Sequence, residues 1–236
     1  MRRATLARMH RSFPATAVAI LLCAGAAAQE RSPSPIEIAA QQESASNAAY
    51  RYRAAIAGLL PLEAGSVAAE IGARSGFVAR AMASQVGATG RVIAVTLDPR
   101  MAAYMNERAR AEGIQNLSAV LGQSAETGLD AASIDAAVLV NVFSTLTKQA
   151  DMLQSIAATL KPGGALLIVD IPREGIGAAQ TGMDADDVVT LASAAGLKRE
   201  AESSVVPGQY AIRFLKPKAP SPRPKAPKAQ SLRPKV

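Results

Sequence analysis

The sequence predicts an α/β fold: a doubly wound sheet, mostly parallel, with one antiparallel strand in a C-terminal hairpin. Three observations predict it. Apolar runs of strand length alternate with stretches of helical spacing from about residue 48 onward. Helix openers and stops punctuate them, such as Asp98-Pro99, Gly87 and Gly113. Two final runs joined at Pro207-Gly208 read as a hairpin.

Each element follows from its own residues. "NAAYRYRAAIAGLLPLEAG", from Asn47, has helical spacing up to Pro61. "SVAAEIG" is a short buried strand that ends in an acid and a turn glycine. "GFVARAMASQVG" sets Phe77, Val78, Met82 and Val86 near helical spacing, with Gly87 as its stop. "GRVIAVTL" is a β-branched strand. "DPRMAAYMNERARAEG" opens with Asp98 and Pro99, which suit an N-cap and first turn, and stops at Gly113. "NLSAVLG" and "SIDAAVLVNVF" are strands. "TKQADMLQSIAATLKPGG" is a helix stopped by Pro162-Gly163-Gly164, and "ALLIVDI" is the next strand. "MDADDVVTLASAAGLK" is a helix whose first turn carries acids, favourable for its dipole. "REAESSVVPGQYAIRFLK" is the hairpin. Strand and helix alternate five times before the last helix and the hairpin, so a ligand site is expected beyond the carboxyl ends of the strands.

The two ends are different in kind. Residues 1–28 pair a basic start (Arg2, Arg3, Arg8, Arg11) with the apolar run "ATAVAILLCAGAAA", too short to span a bilayer comfortably. They are expected to be a signal peptide cleaved after Ala28, which makes the chain exported, periplasmic or in the cell envelope, with no transmembrane helix after cleavage. Residues 29–47, polar with early prolines, are expected to be a linker. The folded domain is expected over 48–215. Residues 216–236 hold seven basic residues, no acid and recurrent proline. They are expected to be a disordered basic tail that is either merely solvated or tethered to an anionic surface.

Charge and composition exclude several function classes. The chain's formal charge is +7. Removing seven tail cations and four leader cations leaves residues 29–215 at −4, so the body is not expected to bind nucleic acid. The one Cys and the one His, Cys23 and His10, both precede residue 29. Disulfides, Cys/His zinc sites, thiol nucleophiles and Ser-His-Asp triads are therefore excluded from the body, and no metal site is expected. Abundant Ala and the absence of Trp predict a core of small aliphatic side chains.

Five segments in order carry a resemblance: "VAAEIGARSGF", "GRVIAVTLDPRM", "IDAAVLVNVF", "LKPGGALLIVD" and "VVPGQYAIRF". Over about residues 50–215 they resemble the class I S-adenosylmethionine-dependent methyltransferases, and the last resembles a bacterial, signal-peptide-bearing subgroup. "LKPGGALLIVD" is the most specific piece. The resemblance implies a Rossmann-like fold, S-adenosyl-L-methionine as cofactor and methyl transfer to a small-molecule or protein acceptor. A dinucleotide fingerprint from Gly72 would need glycine at 74 and 77, where Arg74 and Phe77 stand.

The resemblance implies a cofactor site at Glu70, Gly72, Ala73, Arg74, Gly76, Thr96, Leu97, Gln123, Ser124 and Asn141. Glu70 either sits near the amino-acid end of the cofactor or caps loop amides. Gly72 and Gly76 permit close backbone approach and the turn into a helix. Arg74 stands where the family has glycine; it either crowds the ligand, swings outward, or pairs with the cofactor's carboxylate. Thr96 replaces the acid that accepts both ribose hydroxyls, a loss of about 1.5–3 kcal/mol, or about 10- to 150-fold in affinity. Asp98 could stand in, although it suits the helix cap better. Gln123 and Ser124 replace a Gly-Asp acid at the adenine, with Glu126 as a further stand-in. Asn141 either meets cofactor and substrate or is an ordinary strand-end polar residue. Ser144 and Thr145 stand where the subgroup often has paired histidines. No catalytic residue is assigned. The chain is thus expected to be a methyltransferase or, if the altered positions have abolished cofactor binding, a non-catalytic binding protein of the envelope.

Overall fold

The structure is a computed structural model that describes residues 31–173 and 182–218. The chain divides into two units, Met1–Ser32 and Pro33–Val236. The signal peptide expected over 1–28 lies outside the described residues, as does the tail from 219 onward.

The second unit runs α1 (Pro35–Gln42), α2 (Ala48–Arg51), α3 (Arg53–Gly58), β1 (Val67–Ile71), α4 (Phe77–Val86), β2 (Arg91–Thr96) and α5 (Pro99–Ala111). It continues with β3 (Leu117–Leu121), β4 (Ile134–Val140), α6 (Gln149–Thr159), β5 (Leu160–Asp170), α7 (Ala185–Ala194), β6 (Lys198–Ser203) and β7 (Tyr210–Leu215). The seven strands form one sheet in the order β3-β2-β1-β4-β5-β7-β6. β1 to β5 pair in parallel, and β7 runs antiparallel between β5 and β6. The doubly wound sheet with one antiparallel strand is the fold the alternation predicts.

Side chains alternate between two cores along every central strand, as the two-residue period of a strand requires. Ala68, Val92, Ala94, Ala136, Val138 and Leu167 face the helices α3, α4 and α5. Ala69, Ile93, Ala137, Leu139, Leu166 and Ile168 face the core that α6 and α7 complete. Alanines recur on the first face, so the small-residue core is real. The outer strand β6 is largely exposed and carries Lys198, Arg199, Glu200 and Glu202, charges that discourage edge pairing with another chain. Among the described residues no helix is long and apolar enough to cross a membrane.

Four local expectations change, and the direct passage from β3 to β4 is kept. The 29–47 segment is not a plain linker, because α1 occupies 35–42. Ser34 caps it with a reciprocal Glu37 box and Pro35 opens it, an S-P-I-E signal visible in the sequence. The helix expected from Asn47 breaks into α2 and α3 at Tyr52, whose ψ of 11° departs from helix. β3 passes to β4 through a loop with no helix. β4 stops at Val140 because Asn141 turns left-handed, with φ 53°. The Lys-Pro-Gly-Gly segment lies inside β5 rather than before it.

That segment is a bulge with its own logic. Ile134 pairs with Leu160, and Ala136 pairs with Ala165, so Lys161–Gly164 loop out. The Lys161 ammonium donates to both Asp135 oxygens at 2.8 and 2.9 Å. The other end of the loop is closed by Lys216, whose carbonyl accepts from Gly163 N–H and whose N–H donates to the Gly164 carbonyl, at 2.8 and 2.9 Å. Lys216, expected to begin the tail, is therefore bonded to the sheet.

Candidate functional site

Strand order reverses between β1 and β4, and a cleft opens beyond the carboxyl ends of such strands. A cavity of about 520 Å³ lies there, within the range of about 300–1,000 Å³ for small-molecule sites. Its walls bring together Gly72, Ala73, Arg74, Thr96, Leu97, Gln123, Ser124 and Asn141. Glu70 and Gly76, also nominated by the sequence, do not line it.

Glu70 lies behind the loop. Its Oε2 accepts the Ala79 N–H at 2.8 Å, so it satisfies a free amide of the first turns of α4. Burial pushes its carboxyl up to about 7, and the Ala79 bond and the Arg80 charge oppose that rise. Of its two readings, capping is the one the geometry has. Gly76 opens α4 at φ 70°, and a Cβ there would stand 2.9 Å from Met105 Sδ. Its work is in packing.

Gly72 lies in the cavity wall at φ 76°, where a Cβ would stand 2.5 Å from Val142 Cγ1. The N–H groups of Gly72 and Ala73 both donate to the Val95 carbonyl, at 2.9 and 2.8 Å, which ties the loop to β2. Arg74 is exposed in the cavity wall, and among the described residues it has no hydrogen-bond or ion-pair partner.

Thr96 is buried, and its Oγ1 accepts the Asp98 N–H at 3.3 Å. Its hydroxyl proton remains available to one acceptor. Asp98 also borders the cavity, but its carboxylate is committed. It caps α5 through Arg100 N–H at 2.8 Å and takes the Arg100 guanidinium on both oxygens, at 3.2 and 2.8 Å. Hydrogen bonding from Arg100 holds its carboxyl below the usual range. Gln123, Ser124 and Glu126 form an exposed turn in which Gln123 and Glu126 exchange backbone bonds. Leu97 is exposed at the rim.

Asn141 is the most informative wall residue. It is left-handed at φ 53°, a conformation that disfavours most side chains. Its N–H donates to the Val169 carbonyl at 2.8 Å. Its side-chain Oδ1 is buried and has no donor among the described residues. Such an acceptor costs about 1–3 kcal/mol while it stays unpaired. The left-handed backbone and the orphaned acceptor together single out Asn141 among the wall residues as a candidate for binding.

Ser144 and Thr145 have structural partners. Ser144 N–H and Oγ donate to Asp170 at 2.9 and 3.0 Å, and Thr145 Oγ1 donates to the Val142 carbonyl at 2.7 Å. Burial pushes the Asp170 carboxyl up, against those same bonds. Among the described residues no group of three or more His, Cys, Asp or Glu could hold a metal ion.

Sequence reasoning missed the apolar half of the wall: Ile38, Met101, Val142, Leu146 and Met152. The capping box at Ser34 could have located the helix that carries Ile38. Nothing local marks the others, because they converge from α5, the end of β4 and α6.

Residues 68–164 match a family model described as a methyltransferase domain. No curated protein matches the sequence. A SAM dependent methyltransferase from Aquifex aeolicus is similar in structure, with a TM-score of 0.69 at 18% identity over 78% of this chain and 100% of that one. A chain of the Haloferax volcanii complex with the Trm112 methyltransferase activator gives 0.65 at 19% identity, over 77% and 95%. The [4+2]-cyclase SpnF gives 0.63 at 15% identity, over 72% and 81%. Likeness at such identities carries the fold and leaves the reaction to the site. The matched methyltransferase domain implies S-adenosyl-L-methionine as the cofactor. Residues 68–164 thus resemble a methyltransferase domain, and they lie within an α/β, Rossmann-like methyltransferase fold.

Proposed function

We propose that the protein binds S-adenosyl-L-methionine in this cavity and transfers its methyl group to a small-molecule or protein acceptor outside the cytosol. The observation that carries the reading is the buried, donorless Asn141 Oδ1 beside the Gly72 loop. The cofactor's ammonium is a donor of the kind that acceptor lacks, and the unpaired Arg74 guanidinium suits its carboxylate. Gly72 keeps the wall free of a side chain where the loop packs on Val142. Thr96 offers one hydrogen bond to a ribose hydroxyl, and Gln123 offers a carbonyl to the adenine amino group.

The cofactor supplies an electrophilic methyl on a sulfonium. The residues of the chain bind, orient and exclude water, and proximity supplies much of the rate. The carboxylates bordering the cavity are Asp98, committed to Arg100, and Glu126, exposed. The acceptor therefore brings its own nucleophilic lone pair rather than relying on a buried base.

Export rests on the basic, then apolar, first 28 residues; N-terminal sequencing of the mature chain should begin at Gln29. The basic tail would hold the protein on an anionic surface, and deletion of 219–236 should release it from anionic vesicles at low salt.

A second reading has its own observation. Thr96 and Asp98 are bonded to their own loop, so Asp98 is not free to replace the acid that takes both ribose hydroxyls. In that reading the fold is kept as a non-catalytic binding module of the envelope. Calorimetric titration separates the two. Binding at micromolar cofactor, tightened about 10- to 100-fold by Thr96→Asp, is the expected result. No heat at millimolar cofactor leaves the second reading standing.

A further inference from the structure

We propose that Glu43 is a positioning residue of the cavity: it seats α1 against the ligand site and steadies the glycine loop at the same time. The inference rests on reading the cavity as a ligand site, and Glu43 itself does not line it.

Glu43 is the first residue past α1, and its side chain is 10% exposed. One oxygen, Oε1, accepts from Arg80 of α4 and from Arg108 of α5, both at 2.8 Å. The Arg80 guanidinium has a second bond, to the Ser75 carbonyl at 2.9 Å. Ser75 immediately precedes Gly76, so the glycine loop and α1 hang on one guanidinium. Glu112 closes the ring, at 2.6 Å from Arg108 Nε and 3.5 Å from Arg80 Nε. The two carboxylates balance the two cations and keep them side by side.

α1 needs such a clamp. A helix of eight residues is too short to hold itself in water. It nevertheless carries Ile38 into the cavity wall, beside Met101 from α5. Removing the Glu43 charge leaves Arg80 and Arg108 facing each other across one carboxylate instead of two. They repel, α1 loses its anchor, and the Ser75 carbonyl loses a fixed donor. The cavity then opens on the Ile38 side and its loop loosens.

The test uses the full chain. Cys23 is its one cysteine, so Cys23→Ser with Met101→Cys installs a single reporter thiol at a site 3% exposed. Iodoacetamide labelling is expected to be slow in this parent, at least 10-fold faster with Glu43→Gln, and within about threefold of the parent with Glu43→Asp. Ile38→Ala should also speed labelling with the clamp intact, and it serves if Glu43→Gln does not fold. In the native chain, Glu43→Gln should weaken S-adenosyl-L-methionine binding about 10-fold by calorimetry, and Glu43→Asp should restore most of it. Labelling that is unchanged in Glu43→Gln overturns the proposal. So does faster labelling with unchanged affinity, which would make α1 a mere cover. If the native chain gives no heat with the cofactor, the cofactor reading fails, and labelling alone still decides whether Glu43 seats α1.

Discussion

Two glycine-bearing segments sit at opposite ends of the sheet, and they differ in how much of their chemistry they use up. The Lys161–Gly164 bulge is closed on itself. Asp135 takes the Lys161 ammonium, and Lys216 exchanges bonds with Gly163 and Gly164. A Cβ at Gly164 would stand 2.9 Å from the Lys161 carbonyl and 3.0 Å from that of Asp135. The Gly72–Gly76 loop is different. Its backbone is tied to Val95, yet Arg74 has no partner among the described residues, and neighbouring Asn141 keeps an acceptor unpaired. The bulge serves the fold; the loop keeps capacity for something else. The segment most specific to the resemblance is therefore the one least concerned with ligand.

The largest expected effect concerns the acid beneath the loop. Glu70 has its folded pKa raised from 4.5 to about 7, so the native state keeps a proton that the unfolded chain releases. Its contribution to stability is fully present below pH 4.5, falls as pH rises to about 7, and is flat above. The fall amounts to about 3 kcal/mol. Glu70→Gln keeps an acceptor for Ala79 and should lose that fall, which urea midpoints from pH 4 to 8 will show. An unchanged slope would place the proton elsewhere.

The bulge comes next. Gly164→Ala should cost about 1–3 kcal/mol of stability, because backbone carbonyls surround the new methyl. Where the variant is folded, its cofactor affinity should match the native chain. A loss of affinity without a loss of stability would break the division between the two segments.

The smallest effect sharpens the contrast from the other side. Asn141→Gly relieves a left-handed side chain and deletes an unpaired acceptor, so stability should hold or rise by about 1 kcal/mol. Cofactor affinity should fall about 10-fold in the same variant, in keeping with a lost hydrogen bond to a charged donor. A destabilised Asn141→Gly with native affinity would make Asn141 a structural residue.

Much of the fold was legible because its signals are local. Strand runs, helix stops and the hairpin each depend on residues within one element. The glycine loop was placed by the same means, and most of the nominated residues do meet in one cavity. Glu70 was read two ways because its partner, Ala79, lies in the next element. The 29–47 segment was read as a linker because composition outweighed a capping box already present at Ser34.

The sequence by itself determined the order of strands and helices from Asn47 onward and the end of the sheet at which a ligand is expected. These follow from periodicity, turn chemistry and the handed connections of parallel strands. Tertiary structure alone decided that Ile38 joins the wall and that Glu43 bridges Arg80 and Arg108, 37 and 65 residues away. It alone left the Asn141 Oδ1 without a donor among the described residues. Such contacts depend on how elements pack, and packing distance leaves no trace in the spacing of residues along the chain.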